Sequence, residues 1–500
     1  MTGRPNILFI TADQWRGDCL GAAGHEVVKT PALDALAAEG TLFARHFATC
    51  APCSPARASL YTGLYQMNHR VVRNGAPLDA RFDNLALAAR RAGYAPTLFG
   101  YTDTAPDPRR HDPADPVLES YEAVLPGFDV AQILPEDDGP WLSWLGERGR
   151  TPFDGLPMQA GAEQPGEIVS TAATAFAHGE SQTAFLTDAF LSWAGRQERP
   201  WFAHLSFLRP HPPFSVPAPY NAIYAPGDGP AYRRADSPAA EPDHHPALGA
   251  MRDAADLSAF LAGRSGPLAQ LDARDFDRVR AIYYGMITEV DAQIGRIAAA
   301  LRDSGAWQDT IVVFTSDHAE MLGDHWMLGK GGFHPEAYQI PLILRVPGQA
   351  ARRVDALSSA VDVFPTLAAL MGVAPRHVPD GRALVPLIHG ATPEGWRDAV
   401  VWEFDYRDHD RNGRSPDACV MVCLRNARHL YVHSPCEPAL LFDLDCDPGC
   451  VDNLAPYDTA TRLAMAEALL AVRACAADQT LARHLVWDWA RGADRAPARR

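Results

Sequence analysis

The 500-residue sequence has no apolar run long enough to cross a membrane as a helix, no internal repeat and no excess of basic residues. The first absence excludes helical membrane anchoring. Met1 to Ile10 holds one arginine and a short apolar run, with neither the length of a signal core nor a small-residue cleavage site. Nine cysteines, an odd number without regular spacing, do not make a disulfide framework and read as free thiols of a reducing compartment. These features predict a cytoplasmic protein. With 61 acidic against 45 basic side chains the formal charge is -16, a field that repels phosphate backbones and anionic lipid. Nucleic-acid and membrane partners are therefore not expected. The same field opposes any small anionic substrate, unless a metal and basic side chains are gathered locally.

What is present is core-forming material, 47% hydrophobic with 21% charged residues. Asn6 to Thr11 is an apolar, β-prone run that stops at Asp13-Gln14. Thr30-Pro31 opens a helix that Gly40 ends, and a second helix over Asn84 to Ala92 leads into a strand from Tyr94 to Gly100. The rhythm returns with a helix at Phe185 to Trp193, a strand at Trp201 to Phe207, a helix at Ile282 to Leu301 and a strand at Thr310 to Thr315. Three strands thus end in polar clusters, the edge at which open α/β sheets bind ligands. Such alternation predicts an α/β fold with a mixed, mostly parallel sheet sandwiched by helices. Asp103 to Gln182 and Pro217 to Pro267 lack periodicity and read as long loops. Past Asp398 short strands at Ala399 to Glu403, Cys419 to Leu424 and His429 to His433, then a helix at Thr459 to Ala476, suggest a division into a catalytic unit, 1–398, and a smaller α+β subdomain, 399–500. The Arg-rich end, Arg491 to Arg500, reads as a solvated tail.

The densest chemistry lies between Cys50 and Gly63. A Cys50-x-x-Cys53 pair alone would suggest zinc or thioredoxin chemistry, but no second pair stands at ribbon spacing and no thioredoxin-like context follows. The default for a single cysteine is a buried, inert thiol. Against that default stands the complete string Cys53-x-Pro55-x-Arg57 with Thr62-Gly63 behind it, which resembles the signature of the sulfatase family. Asp13-Gln14 and Asp317-His318, each at a strand end, resemble that family's metal ligands. Taken singly, Asp13 could cap a turn and His318 could be a satisfied core histidine.

The resemblance runs from Asn6 to about Leu454 and narrows to the phosphonate monoester hydrolase and arylsulfatase branch through Cys53 to Arg70, Tyr101-Thr102, Arg209-Pro-His211-Pro-Pro-Phe214, Ile287 to Asp291 and Gly329-Lys330. It implies an alkaline-phosphatase-like fold and conversion of Cys53 to formylglycine, whose hydrate attacks sulfur or phosphorus and then regenerates the aldehyde. It implies one divalent metal held by Asp13, Gln14, Asp317 and His318 against the modified Cys53. Arg57 would bond the nucleophile's oxygens, His211 and Lys330 would serve the leaving-group oxygen, and Asn74 and Tyr101 would contact the anion. A lysine such as Lys330 is more often a solvated surface residue, though the flanking glycines permit close approach of a ligand. Gln14 and His318, in place of further carboxylates, favour manganese over calcium. Asp103 stands where the branch is expected to carry a neutral threonine, and an ionised carboxylate there would oppose phosphoryl chemistry more than sulfuryl transfer. On that ground aryl sulfate hydrolysis is expected first, with phosphonate monoester and phosphodiester hydrolysis as the alternative main activity. A non-catalytic anion-binding protein is the remote rival. The expected partners are a small anionic ester, a formylglycine-generating or other maturation enzyme, and a second copy of the chain in a homodimer.

Overall fold

The computed structural model describes residues 4–477, so the tail from Arg491 to Arg500 lies outside the described residues. Three of the apolar runs form the centre of the molecule as the strands Asn6–Ala12, Phe202–Phe207 and Thr310–Thr315. They run parallel, with Ile7 beside Phe202 on one side and Ile311 on the other. Their near-continuous apolar character follows from burial on both faces. Ile7 and Phe9 join Leu98, Phe202 and Val313 in one core, whereas Leu8 and Ile10 join Phe99, Leu205 and Phe314 in the other. Each such side chain contributes about 1.5–3 kcal/mol by leaving water.

The full sheet has eight strands in the order Arg352–Val354, Thr41–Phe43, Leu342–Arg345, Thr310–Thr315, Asn6–Ala12, Phe202–Phe207, Pro96–Gly100 and Asp129–Ile133. Within it Leu342–Arg345 alone opposes its neighbours. Helices Pro31–Glu39, Gln182–Ala194 and Ala273–Asp303 supply the second core, and Cys53–Thr62, Leu85–Arg91 and Val363–Leu370 the first. Four adjacent strands, from Thr310–Thr315 to Pro96–Gly100, are mutually parallel and so end on one edge.

A second sheet follows, an antiparallel meander of Val400–Asp405, Val420–Arg425, His429–Ser434 and Glu437–Asp443. Helix Thr459–Cys475 packs on it through Met465 and Leu469. Its fifth strand is Cys50–Ala51, which runs parallel to Val400–Asp405 with Cys50 opposite Glu403. The segment just before Cys53 is thereby tied to the C-terminal part of the chain.

Several expected bounds shift, each for a physical reason. The long helix starts at Ala273 rather than Ile282, because Asp272 accepts from the backbone N–H of Arg274 and Asp275 in a capping box. The stretches read as loops contain the edge strand Asp129–Ile133 and the helices Gly139–Glu147 and Pro246–Ala254. The edge strand is largely exposed and has no alternation to betray it. Glu437–Asp443 escapes sequence detection because Pro438 argues against a strand, yet a proline is tolerated in this outermost one.

Gly100, at the end of its strand, has φ +106°, and a Cβ there would be driven into the carbonyl oxygen of Ser206. Gly100→Ala combines left-handed strain with a backbone clash. We expect it to lower stability by about 2–4 kcal/mol in denaturant unfolding; an unchanged midpoint would show that the strand end yields.

Candidate active site

The edge shared by the four parallel strands carries Asp13-Gln14, Ser206, Tyr101 and Asp317-His318, each directly beyond or at the end of a strand. Helix Cys53–Thr62 points its first residue at the same place. Cys53, Arg57 and Tyr61 follow one another at intervals of four along one helix face. Arg57 is wholly buried, and its donors are spent on the strand ends. Nη2 donates to Asp13 Oδ2 at 2.9 Å, Nε to Asp317 Oδ2 at 3.1 Å and Nη1 to Ser206 Oγ at 2.9 Å. The guanidinium therefore organises two carboxylates in addition to lying beside the nucleophile position.

Asp13, Cys53, Asp317 and His318 each offer a ligand atom, and these atoms lie within 4.8 Å of one another. Asp13 Oδ1 is buried without a hydrogen-bond partner. His318 Nε2 stands 3.2 Å from Cys53 Sγ, and Nδ1 lies 3.2 Å from the carbonyl of Ala319, which fixes the ring. Burial and the Lys330 charge push His318 down to about 3, so its ring is neutral and its Nε2 lone pair faces Cys53 Sγ. Desolvation would raise Asp13, but His211, Arg57, His318 and Lys330 hold it well below the carboxylate range. Burial and the adjacent Asp13 push Asp317 up to about 7. Two carboxyl groups, one of them with an orphaned oxygen, and a neutral imidazole fit a divalent cation. Cys50 is no part of this group; its sulfur lies 3.4 Å from Ser59 Oγ.

Gln14 adopts φ +65°, unusual for a side-chain-bearing residue. Its N–H donates to Asp317 Oδ1 at 3.2 Å, and its carbonyl accepts from Tyr283 of the long helix at 2.7 Å, so the strained backbone is held on both sides. Its side-chain oxygen accepts from Lys330 Nζ at 2.7 Å and its nitrogen donates to Glu320. Glu320 also accepts from the N–H of Gly329 at 2.6 Å, so one buried carboxyl fastens both Gln14 and the Lys330 loop.

Lys330 Nζ lies 3.0 Å from His211 Nε2. His211 Nδ1 is 2.8 Å from the carbonyl of Pro212, which can only accept, so the ring proton sits on Nδ1 and Nε2 faces the ammonium with a lone pair. Burial, together with the Lys330 charge, pushes His211 down to about 3. Lys330 is raised despite its burial by Cys53, Asp13 and Asp317. The pair is thus one ammonium donor and one neutral imidazole.

The residues expected to meet the anion are arranged in three ways. Asn74 Oδ1 accepts from the N–H of Ser54 at 3.0 Å, and Tyr101 donates its hydroxyl to Asp13 Oδ2 while its ring lies 4.2 Å from the Arg57 guanidinium carbon. Asp103 stands 3.7 Å from Arg57 Nε. Both its oxygens are buried without hydrogen-bond partners. Burial raises its carboxyl well above the ordinary range, Arg57 opposes that rise, and Glu136, Asp13 and Asp317 add to it. The Cys53 thiol is likewise raised, by burial and by Asp13.

Sequence reasoning missed Ser206, Glu320 and Glu136. Glu320 is signalled by a lone acidic residue three places beyond Asp317 in an otherwise buried stretch. Ser206 hides within an apolar strand, and Glu136, which reaches within 4.8 Å of Cys53 and Asp103 ligand atoms, lies in a stretch with no periodicity.

A family model described as Sulfatase matches residues 5–373, and one described as N-sulphoglucosamine sulphohydrolase, C-terminal, matches 323–473. The multifunctional alkaline phosphatase superfamily protein PehA of Trinickia caryophylli is 38% identical across 96% of this chain and 97% of its own. An arylsulfatase of Clostridium perfringens is 26% identical across 90% of each. The crystal structure of the phosphonate monoester hydrolase of Agrobacterium radiobacter superposes with a TM-score of 0.94 at 54% identity, covering 97% of this chain and 98% of that one. The fold is accordingly alkaline-phosphatase-like with a C-terminal subdomain. Motif, fold and relatives agree that the chain belongs to the sulfatase family, a family of hydrolases within the alkaline phosphatase superfamily.

Proposed function

We propose that the protein hydrolyses monoanionic esters at tetrahedral phosphorus or sulfur, with phosphonate monoesters and phosphodiesters as its main substrates and aryl sulfates second. The observation that carries this order is the 54% identity, over 97% of this chain, to a protein named as a phosphonate monoester hydrolase. A carboxylate beside the anion opposes phosphoryl transfer more than sulfuryl transfer, since phosphoryl transfer gathers more charge on the non-bridging oxygens. Burial of Asp103, which raises its carboxyl above the ordinary range, works against that penalty. The relative at 38% identity is named as a multifunctional member of the same superfamily, which agrees with more than one activity, and the arylsulfatase at 26% supports the second.

Asp13, Asp317, His318 and residue 53, with Gln14 beside them, are the residues that would hold a divalent cation, manganese ahead of calcium. Such a cation supplies Lewis acidity, and formylglycine at position 53 supplies an oxygen nucleophile with a route back to the aldehyde. Arg57 keeps the two carboxylates in place and adds a charge that never titrates in the working range. Lys330 and His211 stand side by side with one proton to give, suited to the oxygen of the departing alcohol. A maturation enzyme acting on Cys53, a homodimer and a cytoplasmic setting complete the reading.

Intact-mass spectrometry of active protein should show a loss of about eighteen mass units at Cys53, and Cys53→Ala should abolish turnover. An active sample with only unmodified cysteine would sink the nucleophile. For the order of substrates, kcat/KM is to be measured on matched aryl phenylphosphonate, aryl phosphodiester and aryl sulfate. Asp103→Asn, which copies a neutral carboxyl, should leave the phosphonate-to-sulfate ratio within about three-fold of wild type, whereas removal of a true anion would raise it by an order of magnitude. Lys330→Ala and His211→Ala should lose roughly a hundred- to ten-thousand-fold on esters with poor leaving groups and far less on nitrophenyl esters. Equal losses along the series would remove both residues from the departing oxygen.

A further inference from the structure

Next to Lys330 and His211 lies a cavity of about 310 Å³. It is built by segments whose sequence has no regular pattern: helix Pro246–Ala254 and the short turns Leu257–Ala259 and Leu268–Gln270, closed by the stretch from Met327 to Lys330. Met251, Ala255, Phe260, Leu268, Met327 and Leu328 form its walls, and Gln14, His211 and Lys330 close one end. Among the described residues no carboxylate lines it. Of the two other ionisable groups at its border, Arg252 is paired with Asp243, and His409 is pushed down by burial. The walls also bear on the catalytic loop. A Cβ on Gly329 would stand 3.3 Å from Phe260, and one on Gly331 would stand 2.8 Å from Phe404 and 2.9 Å from the Met251 methyl group. The two glycines that flank Lys330 are therefore pressed against the pocket, and the ammonium emerges at its inner end.

We propose that this cavity receives the alcohol that departs from the ester, and that it selects uncharged, apolar leaving groups about the size of a butylphenol. The assignment rests on the proposed hydrolysis, because it places Lys330 and His211 at the departing oxygen. Size follows from volume: an apolar cavity of about 150 Å³ accommodates benzene, so twice that space takes a ring and a chain of about four carbons. Charge selection follows from the walls: they offer a cationic tail no acidic partner to replace its water, and the bordering cations are already engaged, Arg252 with Asp243 and Lys330 with Gln14 and His211.

The test uses mature, metal-loaded enzyme and phenylphosphonate esters of 4-methylphenol, 4-butylphenol, 4-octylphenol, 4-(2-aminoethyl)phenol and 4-(2-carboxyethyl)phenol. These para substituents hardly change the acidity of the phenol, so ratios of kcat/KM read the fit of the leaving group. Butyl should exceed methyl by roughly ten- to fifty-fold, with no further gain for octyl, and both charged tails should fall below methyl. Met251→Glu should reverse the order of the butyl and aminoethyl esters, a change of ranking that simple loss of folded protein cannot produce. A butyl ester turned over within about two-fold of the methyl ester would overturn the assignment while leaving hydrolysis intact. Failure to cleave any ester, by protein whose residue 53 is converted, would overturn the hydrolytic reading and this assignment with it.

Discussion

Arg57 sits in the middle of the molecule with its guanidinium between Asp13 and Asp317, and the remainder of the site is arranged around that contact. Burying a cation costs several kcal/mol unless opposite charge lies within hydrogen-bond reach, and two carboxylates supply it. In return the carboxylates, which would repel each other at the ends of adjacent strands, are held close together. Strands Asn6–Ala12 and Thr310–Thr315 and helix Cys53–Thr62 are thereby locked at their functional ends, where a sheet is otherwise free to splay. Tyr101 and Ser206 complete the cage from the two strands on the other side. Removing the arginine would leave two buried carboxyls without their counter-charge, a loss of about 3–5 kcal/mol in comparable buried pairs.

That local arrangement answers the problem set by the acidic chain. A net charge of -16 disfavours the approach of an anion, and within the site Arg57 is already offset by the carboxylates it binds. Lys330 is the cation whose contacts, Gln14 and His211, carry no negative charge. A cation added at Asp13, Asp317 and His318 would therefore do more than activate a nucleophile, since it would make the site positive on balance.

The parts of this structure that were legible in the sequence are those set by local chemistry. Strands buried on both faces must be apolar throughout, so Asn6–Ala12, Phe202–Phe207 and Thr310–Thr315 stand out, as does the polar residue where each stops. The motif around Cys53 is contiguous and readable for the same reason. What could not be read depends on distant partners. The charge of Asp103 depends on burial and on Arg57, Glu136, Asp13 and Asp317, which no local sequence pattern ties to it. Edge strand Asp129–Ile133 and Pro-bearing strand Glu437–Asp443 exist because a neighbouring strand offers its hydrogen bonds, not because their residues prefer the conformation. The helix start at Ala273 is signalled by the pair Asp272 and Asp275, although the apolar stripe beyond it is the stronger pattern.

The pairing of Cys50–Ala51 with Glu403 and Phe404 also has a bearing on time. A ribosome adding about 5–20 residues per second reaches those partners about 350 residues after Cys50, on the order of twenty seconds to a minute later. Until then the strand that anchors the approach to Cys53 has nothing to bond with, nor has Asp317, the second carboxylate of Arg57, long been made. The thiol that ends at 1% exposure thus precedes, by most of the chain's length, the strand that pairs with the segment leading into it.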